Sequence, residues 1–204
     1  MNGDSMLFPR MASRIVERLP RANRGRAVLV TSARRGEGKS YIAARLATAL
    51  VGQIDGAIAL VECSTGSPGS SDGTVASISW TDLVTNRSRA VPPPAILGAG
   101  ALVRIPCGNG EAATPFRSAG IAYALNLLRE RFAFVVLDGP ILSDTGVLSA
   151  CSDGSVIVIN ARRTRREVVR GSLRAYPIVP EKLLGGVLNE APRYVPKWLY
   201  RRAL

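Results

Sequence analysis

The sequence predicts an α/β protein, a mostly parallel sheet with helices on both faces. Two observations carry this prediction. Short apolar runs that read as buried strands alternate with segments at helical spacing through most of the 204 residues. The first such strand also leads straight into a glycine-rich turn and then a helix, a strand–loop–helix unit.

The elements follow in order. Arg10 to Leu19 has helical spacing, with Met11, Ile15 and Leu19 on one face and Arg10, Arg14 and Arg18 on another, until Pro20 ends the pattern. Ala27 to Thr31 is a compact apolar strand, and Ile42, Leu46 and Leu50 mark the helix beyond the glycine turn. Ala57 to Val61, Val135 to Leu137, Ser155 to Ile159 and Leu184 to Leu188 read as further buried strands, with helices at Ile121 to Leu128 and Glu167 to Leu173. Ser64 to Gly73 is rich in Gly, Ser and Pro, and Pro92 to Pro94 makes a second break, so Thr65 to Glu111 is marked by breaks and not by periodicity. These segments predict a lead-in amphipathic segment over 1–25, one domain over 26–190 and a basic, aromatic tail over 191–204.

Composition narrows the chemistry. At 47% hydrophobic and 21% charged residues the chain has the make-up of a globular protein. No stretch approaches the roughly 18 uninterrupted apolar residues of a membrane span; the best candidate, Ala95 to Val103, is cut short by Arg104. The absence of histidine excludes mechanisms that need an imidazole base, including the serine and cysteine hydrolase triads. Cys63, Cys107 and Cys151 form no CxxC pair and suggest neither a disulfide framework nor a zinc site; they read as reduced, half-buried thiols. Without an export-type leader pattern, the expected compartment is the cytosol.

The net charge is +12, and Arg162 to Leu204 holds eleven Arg or Lys against Glu167, Glu181 and Glu190. Such a surface suits anionic partners; a solvated basic face without a partner is the alternative.

Ala33-Arg34-Arg35-Gly36-Glu37-Gly38-Lys39-Ser40 fits the Walker A pattern, with Ala in place of its first Gly. Glycines let backbone N–H groups turn inward around phosphates, the lysine reaches the outer phosphates, and the hydroxyl holds Mg²⁺. The following helix points its positive end at the anion, and the residues from Ala33 to Ser40 together with Tyr41 are the expected nucleotide contacts. Phe134-Val135-Val136-Leu137-Asp138 has the form of a Walker B strand, whose Asp138 would hold Mg²⁺. Together these predict a P-loop NTPase with Mg-ATP as cofactor.

With both motifs placed, the sequence resembles the bacterial tyrosine kinases that accompany capsule and exopolysaccharide co-polymerases, relatives of the ParA and MinD ATPases. The matching stretches are Val30-Thr31-Ser32-Ala33 with Gly36 to Ser40, Phe134 to Leu142, Asp153 to Ile159 with Arg163 to Arg166, and Gly186-Val187-Leu188-Asn189 with Pro196 to Arg202. The resemblance implies that Lys39, Ser40 and Asp138 manage phosphate and metal and that Asn189 contacts adenine; a strand-end turn residue is the other reading of Asn189. It also implies Tyr194 and Tyr200 as phosphate acceptors, against surface packing as the alternative.

Departures from the family pattern bear on catalysis. The family's Asp-x-Asp at the end of the strand Ala59 to Val61 is here Glu62-Cys63-Ser64. Glu62 keeps one carboxylate, as metal ligand or proton acceptor, and its extra methylene moves that carboxylate by about an ångström. The lead-in helix lacks the family's Glu-x-x-Arg-x-x-Arg spacing for ring assembly. Arg34 stands where ParA and MinD relatives carry a signature lysine; it would reach a phosphate across a dimer interface or remain solvated.

The resemblance thus implies a Mg-ATP-dependent tyrosine autokinase of polysaccharide assembly or export. It would form a homo-oligomer at the cytoplasmic face of the inner membrane, partnered by an integral-membrane co-polymerase. Separately, Arg193, Lys197, Arg201 and Arg202 interleaved with Tyr194, Trp198, Leu199 and Tyr200 suit an anionic bilayer surface or a cytoplasmic loop of that partner, with tail packing as the alternative. Nucleic acid is the less expected partner. Two other readings stay open: a nucleotide-dependent regulator without kinase activity, and a ParA- or MinD-like positioning ATPase.

Overall fold

The strands are rich in Val, Ile, Leu and Ala on both faces, the pattern of a parallel sheet covered on two sides. In the computed structural model, which describes residues 6–19, 22–64, 73–85, 100–108 and 118–191, they form that sheet. Its strands are β1 (Arg26–Ser32), β2 (Ile58–Glu62), β3 (Thr74–Val75), β4 (Leu102–Ile105), β5 (Phe134–Ile141), β6 (Gly154–Asn160) and β7 (Leu183–Asn189). They lie in the order β3-β4-β2-β5-β1-β6-β7, and every pairing is parallel.

Alternation along each strand sorts the core into two layers. Ala27 and Leu29 of β1, with Ala59, Val61, Val135 and Leu137, pack with α3 (Trp80–Val84), α4 (Ser118–Arg131) and α5 (Gly146–Cys151). Val28 and Val30, with Ile58, Leu60, Phe134 and Val136, pack against α1 (Leu7–Arg18) and α2 (Lys39–Val51). Both faces are therefore covered, as predicted. A third, smaller cluster of Leu142, Ile157 and Ile178 underlies α6 (Arg166–Ala175).

The lead-in helix belongs to the same packing unit. Ala12, Ile15 and Leu19 are buried in the α2 layer, and Arg18 donates to the Leu184 carbonyl at 2.5 Å. Its arginines stay outside: Arg10, Arg14 and Arg18 are all exposed.

Several features differ from the sequence expectation. The stretch from Thr65 to Glu111 contains β3, α3 and β4. Arg104, which ended an apolar run in the sequence, lies inside β4, whose residues alternate between half-buried and buried. A charge ends a membrane-type run but sits comfortably on the half-buried face of a strand when a partner meets it. Helix α3 carries a capping box: the Ser79 hydroxyl accepts from the Asp82 N–H at 3.2 Å, and the Asp82 carboxylate accepts from the Ser79 N–H at 3.3 Å. Cys63 is buried instead of half-buried, because it follows the interior strand β2 into the α3–α4 layer; Cys107 and Cys151 are half-buried as expected.

Candidate functional site

In an open parallel sheet, ligands sit beyond the carboxyl ends of the strands, where the strand order reverses. Here the chain works outward from β1 to one edge through β2 and then crosses to β6 and β7 on the other side. The glycine loop leaves β1 at that crossing.

The loop's form is held from several directions. Gly36 and Gly38 take φ values of 78° and 88°, the left-handed region that favours glycine. Gly38 caps α2, so Lys39 and Ser40 open its first turn, where N–H groups have no acceptor within the helix and face an incoming anion. The Asn189 side chain occupies the space a Cβ on Gly38 would need, and its amide donates to the Glu37 carbonyl at 3.0 Å. The Ser32 hydroxyl donates to the Arg34 carbonyl at 2.7 Å.

Glu37 is the centre of this clamp. At 2% exposure its carboxylate points inward, accepting from the Arg34 N–H at 2.8 Å through Oε2 and from the Asn160 N–H at 3.4 Å through Oε1. A side chain predicted to line the phosphate site therefore braces the loop from behind. Ala33, the replacement for the first glycine, packs its methyl on the cluster of Leu142, Ile157 and Ile178. Arg34 and Arg35 are exposed, as is Tyr41, whose ring stands edge-on to Phe8 of α1 at 6.1 Å.

The acidic side lies on the neighbouring strands. Asp138 is 2% exposed and stands in register with Val30 of β1 on one side and Glu62 of β2 on the other. The two carboxylate-bearing residues are thus in-register neighbours on adjacent strands. Arg104 of β4 pairs with Glu62, its Nη2 at 3.2 Å from Oε1, with both side chains largely buried. The Cys63 N–H donates to the Asp138 carbonyl at 3.0 Å, which joins β2 to β5 one residue further. Burial pushes the Cys63 thiol well above its ordinary value, and the charges of Asp138, Cys107 and Glu62 add to the rise. Burial and Glu62 also raise Cys107, against a hydrogen bond with Thr81 that lowers it.

These residues suit a nucleoside triphosphate with a divalent metal. A left-handed glycine cradle, a lysine and a hydroxyl at a helix start, and two adjacent carboxylates match the donors that phosphate and Mg²⁺ require. Two contributors lay outside the sequence reading. Asn160 ends β6 as Asp138 follows the core of β5, so its strand-end position was a usable signal. Arg104 had no local signal, since its partner lies on another strand. Tyr194, Trp198, Leu199 and Tyr200, together with Arg193, Lys197, Arg201 and Arg202, fall outside the described residues.

No protein-family model matches the sequence, and no curated protein matches it. Solved structures do match. The VpsO kinase domain superposes with a TM-score of 0.64 at 21% identity, covering 94% of this chain and all of that one. The kinase domain of the Escherichia coli tyrosine kinase ETK gives 0.60 at 14% identity over 84% of this chain and 71% of its own. A ParA family ATPase from Chlorobium tepidum gives 0.60 at 18% identity over 81% and 74%. The chain has the P-loop fold of these kinase and ATPase domains. Within that fold, the loop from Ala33 to Ser40 occupies the expected junction between the first strand and its helix.

Proposed function

We propose that the chain binds Mg-ATP and acts as a tyrosine autokinase-like component of capsule or exopolysaccharide assembly, working with an integral-membrane co-polymerase as a homo-oligomer at the inner membrane. The observation that carries this reading is the braced glycine loop, with Lys39 and Ser40 at the start of α2, set beside Asp138 and Glu62.

In this reading Lys39 and the loop N–H groups hold the outer phosphates, and Ser40, Asp138 and Glu62 supply oxygens to the metal. Bound Mg²⁺ would neutralise phosphate charge as it develops during transfer. Asn189, which packs against Gly38, would contact the adenine ring. Positioning and charge neutralisation are the chief needs of phosphoryl transfer, and this arrangement supplies both. The acceptors would be Tyr194 and Tyr200 of a neighbouring subunit. The test is incubation of the purified protein with Mg-ATP, with phosphotyrosine mapped by mass spectrometry. Asp138→Asn should abolish the signal, and Tyr194→Phe/Tyr200→Phe should remove the sites.

One observation favours a second reading, a nucleotide-dependent regulator without kinase activity. Glu62 offers the evident proton acceptor for tyrosine, yet its Oε1 is engaged by Arg104. ATP binding that persists with no phosphotyrosine in the presence of the membrane partner would select the regulator.

A further inference from the structure

Beyond the nucleotide site, the side of the sheet that carries α6 presents a second surface. The turn after β6 and the helix itself bear Arg162, Arg163, Arg165, Arg166, Arg170 and Arg174, all exposed. Arg166, Arg170 and Arg174 recur every fourth residue, which places them in one row along the helix. From Arg162 to Leu188 there are seven basic residues, Lys182 included, against Glu167 and Glu181. No α6 residue is buried, so the helix rests on the body by one half-covered edge. Leu173 on that edge joins Leu183 against the cluster of Leu142, Ile157 and Ile178.

Exposed apolar side chains follow the helix in the chain and lie on the edge strand of the same sheet face. Tyr176 and Val179, which follow α6, are 47% and 53% exposed. Leu188 is 63% exposed on β7, the outermost strand, and is in register with Ile159 of β6. Ile159 packs into the same small cluster as Leu173, so Leu188 shares the sheet face that carries α6. A row of guanidinium groups on α6, with an exposed tyrosine and valine following it and an exposed leucine on the same sheet face, meets the two needs of a lipid interface: phosphate headgroups for the charges and the acyl boundary for the apolar groups. Nucleic acid would use the arginines and leave Val179 and Leu188 without a counterpart. A second copy of this chain, itself at +12, would bring like charge to the surface.

We propose that the α6–β7 face docks on an anionic phospholipid bilayer, with the Arg166, Arg170 and Arg174 row at the headgroups and Tyr176, Val179 and Leu188 at the acyl boundary. The proposal goes beyond the nucleotide reading and stands without it. Each arginine near an anionic surface is worth about fivefold in partitioning, so three together amount to roughly a hundredfold.

The experiment is sedimentation of the purified full chain with phosphatidylglycerol-containing vesicles and with pure phosphatidylcholine vesicles. Arg166→Ala/Arg170→Ala/Arg174→Ala is compared with Arg10→Ala/Arg14→Ala/Arg131→Ala, which removes the same charge from α1 and α4. Binding of an ATP analogue, measured in parallel, reports folding and tests the nucleotide reading separately. The expected result is loss of about a hundredfold in vesicle affinity for the α6 variant, near-native binding for the other, and no binding to phosphatidylcholine. Tyr176→Ser/Leu188→Ser should weaken binding at unchanged charge. Equal losses in the two arginine variants would assign binding to overall charge and overturn the proposal. It also fails if the unmodified chain ignores anionic vesicles, whether or not it binds single-stranded DNA, or if the serine variant binds them undiminished.

Discussion

The phosphate side and the acidic side of the site meet at the ends of β1 and β5, but they are built differently. On the phosphate side, Glu37, Asn189 and Ser32 hold the backbone of the loop and the Asn160 N–H anchors the Glu37 carboxylate, leaving Lys39 and the first turn of α2 to face a ligand. On the acidic side the groups engage one another: Glu62 is paired with Arg104, and two thiols of raised pKa lie near it. One half is preorganised for binding, and the other has turned part of its charge inward. Preorganisation lowers the cost of binding without guaranteeing chemistry, so nucleotide affinity and turnover should respond separately to substitution.

The largest effect should come from Lys39. Lys39→Ala removes the cation that meets the outer phosphates, and a charge-assisted contact of this kind is worth about 1.5 to 3 kcal/mol, or roughly ten- to over a hundredfold in affinity. Titration with a fluorescent ATP analogue measures it. Unchanged affinity would remove the phosphate-loop assignment and, with it, the contrast between the two halves.

Next in its effect on nucleotide affinity, though acting first on stability, is Glu37→Ala. This deletes a buried carboxylate that satisfies the Arg34 and Asn160 N–H groups, and each donor stranded in the interior costs about 1 to 3 kcal/mol. The thermal midpoint should fall, and ATP affinity should fall with it. Glu37→Gln keeps an acceptor for one N–H and should recover part of both. If Glu37→Ala lowered affinity while stability stayed unchanged, Glu37 would be a ligand contact and not a brace.

The two halves also differed in how far the sequence disclosed them. The phosphate side was legible because its parts lie within one short stretch: an apolar strand, glycines that need left-handed angles, and Lys39-Ser40 at a helix start. The parallel sheet was legible for the same reason, since β1, β2, β5 and β6 each carry a run of four apolar residues; Leu184 to Leu188, read as a buried strand, is instead the edge strand β7, in which Leu184 alone is buried. The Glu37–Asn160 and Arg104–Glu62 contacts were not legible, because each joins segments distant in the chain and brought together by sheet order, which no local pattern encodes. Strand β4 escaped because four residues with a central arginine resemble a loop until Glu62 is seen beside it. The capping box Ser79-Trp80-Thr81-Asp82 was present in the sequence and would have located α3.

A smaller effect is expected on the acidic side itself. Arg104→Gln releases Glu62 from its ion pair, leaving its carboxylate available to a metal. Stability should drop by about 1 to 3 kcal/mol, the cost of a largely buried carboxylate losing its partner. The concentration of Mg²⁺ needed for half-maximal turnover should fall, by up to about tenfold if one charge-assisted contact is recovered. Isothermal titration with Mg²⁺ and ATP, alongside a phosphate-release assay, reads both. Weaker Mg²⁺ dependence in this variant would mean that Arg104 itself supports the nucleotide, and the acidic side would then be less self-engaged than its geometry implies.

The smallest effect appears only in alkali and tests whether Cys63 belongs to the closed, self-paired half. Its thiol is raised mainly by burial, with Asp138, Cys107 and Glu62 adding to the rise, so the folded chain keeps this proton at a pH where the unfolded chain has released it. The unfolded state then binds fewer protons, and stability falls as pH increases. The contribution is fully present below the unfolded value, about 8.5, and is lost as pH rises from there toward the folded value, by at most about 1.4 kcal/mol per pH unit. Cys107, also raised, acts in the same direction. Urea midpoints at neutral pH and near pH 10, for the unmodified protein and Cys63→Ala, separate this group from the other alkaline titrations. The variant should begin somewhat less stable, because a buried sulfur is removed, and should then lose less with rising pH. Parallel decline in the two proteins would mean that the thiolate is tolerated where it lies, and that the layer beneath Glu62 and Asp138 admits water.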